Sequence, residues 1–304
     1  MANWLIFASI IIILLALDLG VLNKKDKVMS FKESALLTLF YVTIACFFGL
    51  FIFYHIGAHK AQEYFTGFLL EKAMSLDNIF VISIIFHFFK IPLQYQHRVL
   101  FWGILGVIIL RAIMIYAGVL VLAKFSWILF IFSALLIYTG IKTLYMAENH
   151  DFDPQNMYVY QILKKKFNIY PELAGNKFFI VQNNKLFITP LFIALVIVEF
   201  MDIVFAIDSI PAIFAVTTDP YIVYTSNIFA ILGLRALFFC LADIVERFKY
   251  VKYSLGIILV LIGVKIIISH YVKISSMFTL AVTVILLILG VVVSIIKKEK
   301  SING

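Results

Sequence analysis

The stretch VEFMDIVFAIDSIPA, residues 198–212, places three acidic side chains inside a segment that is otherwise strongly apolar. They are Glu199, Asp202 and Asp208. An ionised side chain in the hydrocarbon core of a bilayer costs at least ~3 kcal/mol on insertion scales. Acids in such a segment therefore need a cation, a proton or an ion-pair partner. The stretch favours a functional site, and the competing interpretation is a structural ion pair within a helical bundle.

The rest of the chain has the composition of a membrane protein. Of its 304 residues, 63% are hydrophobic and 14% are charged, and the mean hydropathy is +1.05. Apolar runs long enough to cross a bilayer recur along the whole length. We therefore predict an all-α membrane protein with nine transmembrane helices. They are placed at roughly 3–22, 33–54, 65–88, 99–121, 125–146, 187–217, 222–244, 252–271 and 277–296.

Basic residues are divided unevenly between two alternating sets of loops. One set holds 17 Lys and Arg, and the other holds Lys60, Lys124 and Lys273. Because Lys and Arg concentrate in cytoplasmic loops, the split predicts an outside N-terminus and a cytoplasmic C-terminus. We expect a multi-pass protein of the bacterial inner membrane, in contact with the lipid bilayer. The net charge of +8 then belongs to the loops and does not indicate nucleic-acid binding.

Two parts of the chain repeat one pattern. Glu71 and Asp77 in EKAMSLDN match Asp202 and Asp208 in DIVFAIDS, at an offset of 131 residues. FSWILFIFSALLIYTGIK likewise matches FKYVKYSLGIILVLIGVK, at an offset of 123 residues. Each copy contains three spans, so consecutive copies enter the membrane from opposite sides. This is an inverted repeat, the architecture of many secondary transporters.

The repeat predicts how the chain is organised. Residues 1–304 form a single polytopic transmembrane domain, with repeat one at 65–146 (spans 3–5) and repeat two at 187–271 (spans 6–8). The loop at 147–186 is expected to be a solvated cytoplasmic connector, and spans 1, 2 and 9 are peripheral additions. A pseudo-two-fold axis in the membrane plane would bring the two acidic segments together near the midplane.

The candidate metal ligands are carboxylate, amide and hydroxyl groups of the two matching segments. They are Glu71, Asp77, Asn78, Asp202, Asp208, Ser209 and Glu199. Glu199 is the least secure of them, since its repeat counterpart is Phe68. These hard oxygen donors suit Mn²⁺, Mg²⁺ or Ca²⁺ better than Zn²⁺ or Cu⁺. The residues alone do not distinguish among the three hard cations.

Helical geometry divides these candidates. Residues seven apart share one side of a helix, whereas residues six apart point about 120° away from each other. Asp202 thus aligns with Ser209, and Asp208 could join them only if the helix were wound differently. Pro211 removes the hydrogen bond to the carbonyl of Ile207, which predicts a break in span 6. Carbonyls exposed by such a break could coordinate a cation at membrane depth.

Two arginines lie inside spans 4 and 7 at matching places in the repeat, Arg111 and Arg235. They are predicted to pair with the acids when no metal is bound, so that metal entry displaces a counter-ion or a proton. Closely spaced carboxylates raise one another's pKa, which offers a route to proton-coupled exchange. The chain shows no sequence motif of an enzyme and no site for a permanently bound cofactor. Cys46 and Cys240 form no CxxC pair.

The motifs EKAMSLDNIFV and VEFMDIVFAIDSIPAIFAVTTDP, followed by TSNIFAILGLRAL, resemble the TerC/Alx family of integral membrane proteins. The resemblance covers nearly the whole chain. It implies Mn²⁺ as the transported ion, with manganese efflux through the acidic motif positions, in a family named for tellurite resistance. Some members are instead discussed as membrane partners in stress response or in protein insertion and metallation. A non-transporting scaffold for such partners, none of which the residues identify, is therefore the alternative function.

Overall fold

The computed structural model describes residues 2–17, 30–125, 127–145, 154, 157–241, 249–268 and 275–302. In these ranges the chain forms eleven helices and three short strands. The elements are α1 (Ala2–Leu17), α2 (Phe31–His55), α3 (Ala58–Phe88), α4 (Leu93–Lys124), α5 (Ile128–Tyr145), α6 (Tyr158–Lys166), β1 (Asn168–Ile169), β2 (Phe179–Gln182), β3 (Lys185–Ile188), α7 (Pro190–Phe214), α8 (Pro220–Leu232), α9 (Leu234–Leu241), α10 (Lys249–Ile268) and α11 (Ser276–Ile302).

Seven helical segments are long and apolar enough to cross a bilayer: α2, α4, α5, α7, the pair α8–α9, α10 and α11. The all-helical membrane class predicted from composition is therefore confirmed. Each of the nine predicted spans coincides with one of these segments or with α1 or α3. The described part of α1 is only 16 residues long, and α3 carries Glu63, Glu71, Lys72 and Asp77 within its length. Nine crossings therefore stay a prediction.

The helices of the two predicted repeats pack against each other in a reciprocal way. α3 contacts α8, α4 contacts α7, and α5 lies along α10. The first helix of each repeat thus contacts the second helix of the other, and the two third helices contact each other. A two-fold relation produces reciprocal contacts of this kind. The inverted arrangement itself stays a prediction.

Glycines let α5 and α10 approach closely. A Cβ atom on Gly140 would lie 2.6 Å from the carbonyl oxygen of Gly256. A Cβ atom on Gly263 would lie 2.9 Å from the carbonyl oxygen of Ser133, whose hydroxyl donates a 2.8 Å hydrogen bond to the Gly263 carbonyl. Small residues at membrane helix contacts allow backbones to meet in this way.

Replacing Gly140 with valine is expected to push α5 away from α10. Overpacking a close contact costs about 1–3 kcal/mol, and backbone lies directly opposite this position. The measurement is the thermal melting of the detergent-purified protein, followed by the loss of its monodisperse fraction. The neighbouring exposed Ile141, replaced by valine, is the matched control. Equal melting of the two variants would contradict the packing described above.

The predicted break at Pro211 is wrong. α7 continues as one helix through Pro211 and ends at Phe214. Proline removes one hydrogen bond, and the turn around it is held by packing, since Ala212 and Ile213 are buried in the cores beside α5 and α10. The interruption lies instead in span 7, where Gly233 separates α8 from α9.

The segment predicted as a solvated connector is folded over its described part. α6 is followed by a sheet of strand order β1-β3-β2, in which β1 is parallel and β2 antiparallel to β3. Asn183 and Asn184 turn the β2–β3 hairpin with φ angles of 51° and 59°, which asparagine tolerates better than most residues. Leu163 and Ile188 are buried in the same apolar core as Phe86 of α3, so the segment packs on the membrane helices.

Candidate cation-binding site

A buried guanidinium lies between two acids from different predicted repeats. Arg111 of α4 is fully buried, and its Nη1 lies 2.6 Å from Oε1 of Glu71 on α3. Its Nε and Nη2 donate to the two carboxylate oxygens of Asp202 on α7, each at 3.1 Å. The fork geometry of arginine suits a bidentate carboxylate contact. Arg111 thus contacts an acid of each motif, in agreement with the predicted pairing.

Two neutral groups complete this cluster. The Oδ1 atom of Asn227 on α8 accepts from Arg111 at 2.9 Å, and its Nδ2 donates to Glu71 at 3.0 Å. The hydroxyl oxygen of Ser209 accepts from Arg111 at 3.2 Å. Ser209 lies seven residues after Asp202, which agrees with the helical spacing. The central cluster, defined as Glu71, Arg111, Asp202, Ser209 and Asn227, joins four helices.

Asn227 is a site residue that the sequence reasoning missed. It closes the run Thr225-Ser226-Asn227, and all three side chains are fully buried in an apolar helix. Thr225 and Ser226 donate to carbonyls of their own helix, so only the amide of Asn227 is directed to the central cluster. The available signal in the sequence was an amide side chain within an apolar membrane helix, because such a group needs hydrogen-bond partners on other helices.

A cavity of 250 Å³ adjoins the central cluster. Its wall includes five of the seven predicted ligands, namely Glu71, Asp77, Asn78, Asp208 and Ser209. Lys142, Lys252 and the threonines Thr139 and Thr143 line it as well. The cavity therefore brings both acidic motifs to one space, with Glu71 and Ser209 shared between the cavity wall and the cluster.

Asp77 and Asp208 lie in the cavity wall and not in contact with Arg111. The ammonium of Lys252 lies 3.3 Å from Oδ1 of Asp77. The hydroxyl of Thr139 donates to Oδ1 of Asp208 at 3.2 Å. Because α3 and α7 are unbroken here, residues six apart keep their different directions. The first acid of each motif therefore contacts Arg111, and the second acid lies only in the cavity wall.

A second, smaller cavity of 30 Å³ includes Asp202 in its wall and is large enough for one water, which needs roughly 10–15 Å³. Asn78, Asp202 and Arg235 line it. The Oδ1 atom of Asn78 is buried and has no hydrogen-bond partner among the residues that the structure describes. Arg235 is 2% exposed. Asn78 therefore reaches both cavities and has an acceptor available for a ligand.

Glu199 lies apart from the other candidates. It lines neither cavity, and its carboxylate lies against Gly103 and Gly106 of α4, occupying the place that a Cβ atom on Gly106 would need. Both oxygens are buried without a hydrogen-bond partner in the described part of the chain. Glu199 was grouped with the ligands as an acid of the same apolar segment as Asp202 and Asp208, but the structure does not bring it to the cavity.

Lys72, the residue after Glu71 on α3, is directed to the end of another helix. Its ammonium donates to the carbonyl of Ala230 near the end of α8, at 3.1 Å. A cation is favoured there because the last carbonyls of a helix lack partners.

Within the described ranges, no three His, Cys, Asp or Glu side chains are grouped closely enough to hold a metal as they stand. Arg111 occupies the space between the carboxylates of Glu71 and Asp202.

Comparison with known proteins identifies the family. The model of the integral membrane protein TerC family matches residues 56–301. The chain belongs to the TerC family. A membrane protein of Rickettsia bellii is 61% identical to this TerC chain over 297 residues, covering 98% of each. One of Myxococcus xanthus is 46% identical over 296 residues, covering 97% of this chain and 92% of that one. No solved structure matches.

The name of a third relative includes a role. A Salmonella typhi protein described as a candidate membrane-bound redox modulator, Alx, is 38% identical over 300 residues, covering 96% of the TerC chain and 93% of its own. In the TerC chain, the two cysteines Cys46 and Cys240 are both free thiols. They lie on α2 and α9, outside the central cluster and the two cavities.

Proposed function

We propose that this TerC chain is a secondary transporter that exports divalent cations in exchange for protons. Among divalent cations, it prefers Mn²⁺. The observation that carries the proposal is the central cluster, where one guanidinium joins Glu71 of one predicted repeat to Asp202 of the other. A single positive charge faces two carboxylates, so the ionised cluster retains a negative charge. A divalent cation in place of the guanidinium would neutralise both acids, which supports an exchange between the two.

The 250 Å³ cavity supports an entry route to the cluster. The cavity is many times larger than the roughly 10–15 Å³ that one water needs, so it has room for a hydrated divalent ion. Asp77 and Asp208 in its wall would attract the ion. Glu71, Asn78 and Ser209, which face the same space, would then replace part of its water shell. All of these ligands are oxygen donors, as Mn²⁺ prefers.

Arg111 and Arg235 are proposed as tethered cations of the transport cycle. Arg111 holds the acids together when the ion is absent and withdraws when it binds. Arg235, beside Asp202 on the other side, would take the equivalent part when the transporter faces the opposite way, as an inverted repeat requires. Protons that bind the acids after metal release would complete the exchange. We place the protein in the bacterial inner membrane, with its N-terminus outside.

Replacing Asp77 or Asp208 with asparagine is expected to abolish manganese export, because the cavity loses one of its three acidic side chains in either variant. The measurement is cellular manganese by mass spectrometry in cells challenged with a manganese load. Cells with wild-type protein should retain less manganese than cells with either variant. Glu172→Gln, in an exposed position outside the cavity, is the matched control and should behave as wild type. If all four proteins handle the load alike, the proposal fails.

A non-transporting scaffold for stress-response or insertion partners is the second candidate. The observation in its favour is that the described part of the loop after α5 is folded, with apolar side chains at its surface. Neither candidate includes a chemical conversion or a permanently bound cofactor. Purified protein in liposomes separates them, because a scaffold would move no Mn²⁺ across the bilayer, with or without a pH gradient.

A further inference from the structure

One face of the β2–β3 hairpin is apolar from its root to its tip. Cross-strand pairing places Phe179 opposite Ile188 and Val181 opposite Leu186, so these four side chains lie on one face. At the root, Ile188 is fully buried, and the ring of Phe179 lies 4.5 Å from the ring of Phe192 on α7. Toward the tip, Val181 is 70% exposed and Leu186 is 51% exposed. The face that packs on the helices at its root therefore continues beyond them, uncovered by the described residues.

The root of the hairpin is fixed at the end of a membrane helix. Thr189 separates β3 from α7, accepts from the backbone N–H of Phe192, and donates to the carbonyl of Lys177 at 2.8 Å. α7 is one of the apolar helices long enough to span a bilayer, so we expect its first turn to lie where hydrocarbon meets water. Strands of four residues rise about 3.3 Å per residue, which keeps the whole hairpin within roughly 13 Å of that boundary.

The segment that carries this face is strongly basic. Residues 157–189 contain five lysines and a single acid, Glu172. The lysines are Lys164, Lys165, Lys166, Lys177 and Lys185. Anionic lipids attract such residues by about 1 kcal/mol for each Lys near the membrane surface. Apolar side chains next to lysines, on an element beside the bilayer, are typical of segments that lie in the interface.

We propose that the apolar hairpin face, formed by Phe179, Val181 and Leu186, inserts into the boundary between headgroups and acyl chains in the leaflet where α7 begins. Lysines of the same segment contact the phosphates of anionic phospholipids. The segment then lies on the membrane surface and holds the start of α7 at a set depth. This assignment is independent of transport, since none of these residues lines either cavity.

Adjacent positions on β2 provide the test, because Val181 and Gln182 point to opposite faces. Each is replaced by cysteine in the full chain carrying Cys46→Ser and Cys240→Ser, spin-labelled, and reconstituted in vesicles of phosphatidylcholine and phosphatidylglycerol. Electron paramagnetic resonance then compares accessibility to oxygen, which concentrates in the bilayer, with accessibility to a water-soluble nickel complex. We expect the label at 181 to favour oxygen and the label at 182 to favour nickel.

Two results at position 181 would overturn the proposal. Nickel accessibility equal to that at 182 would mean that the face is in water. Inaccessibility to both reagents would mean that protein, such as a second copy of the chain, covers it. Vesicles of phosphatidylcholine alone should give a lower ratio of oxygen to nickel accessibility at 181. An unchanged ratio would overturn the contact between the lysines and anionic phosphates.

Discussion

Replacing Arg111 with glutamine is expected to destabilise the protein more than any other single change in the central cluster. Glu71 and Asp202 would face each other without the guanidinium that contacts both. Removing one partner of a buried ion pair costs about 3–5 kcal/mol, because a charge is left uncompensated. The thermal melting temperature of the purified variant should fall well below that of wild type.

Mn²⁺ should partly reverse this loss. A divalent cation that enters the cluster of Arg111→Gln displaces no guanidinium, so Mn²⁺ should raise the melting temperature of the variant more than that of wild type. A triple variant, Glu71→Gln with Arg111→Gln and Asp202→Asn, should recover stability but lose the response to Mn²⁺. Lys142→Gln, which removes an exposed cation from the cavity wall, is the control. Equal stabilisation of wild type and Arg111→Gln by Mn²⁺ would contradict the exchange.

Replacing Asn227 with leucine is expected to have the second-largest effect. The amide bonds Arg111 and Glu71 at once and is fully buried. Leucine has a similar size but bonds neither partner, and each hydrogen bond to a charged group contributes about 1.5–3 kcal/mol. The melting temperature should therefore fall, and the effect should exceed that of Ser226→Ala next to it, whose hydroxyl bonds a carbonyl of its own helix.

The aspartate variant at the same position separates stability from ion binding. Asn227→Asp retains an acceptor for Arg111 but places a third carboxylate beside Glu71. Without divalent ions this variant should melt below wild type. Mn²⁺ should then raise the melting temperature of the variant more than that of wild type. If leucine and aspartate at position 227 leave both melting and the Mn²⁺ response unchanged, Asn227 has no part in the cluster.

The residues of the central cluster were partly predictable, because local spacing and charge determine them. The cost of an unpaired charge in an apolar helix predicted that Arg111 meets acids. Helical periodicity predicted that Asp202 and Ser209 share a side. Asn227 was not found, because its bonds to Arg111 and Glu71 depend on how α8 packs against α3 and α4, and it has no polar counterpart at the matching position, Gly103.

Three further differences have physical causes. Pro211 did not break α7, because neighbouring helices hold the turn after a single hydrogen bond is lost. Glu199 was grouped with Asp202 and Asp208 as an acid in the same apolar segment, but the small residues Gly103 and Gly106 of α4 leave room for its carboxylate away from the cavity. The sheet after α6 was missed because strands of two to four residues are too short to show a periodic pattern.

The central claim is that Glu71 and Asp202 jointly bind the transported divalent cation, and Mn²⁺ flux into liposomes tests it most directly. Wild-type protein, Glu71→Gln, Asp202→Asn and the exposed control Glu172→Gln are reconstituted at equal density, with a pH gradient and a Mn²⁺-sensitive dye inside. The account predicts flux through wild type and the control, and flux no greater than in protein-free liposomes for the other two. Wild-type flux through Glu71→Gln and Asp202→Asn would contradict it.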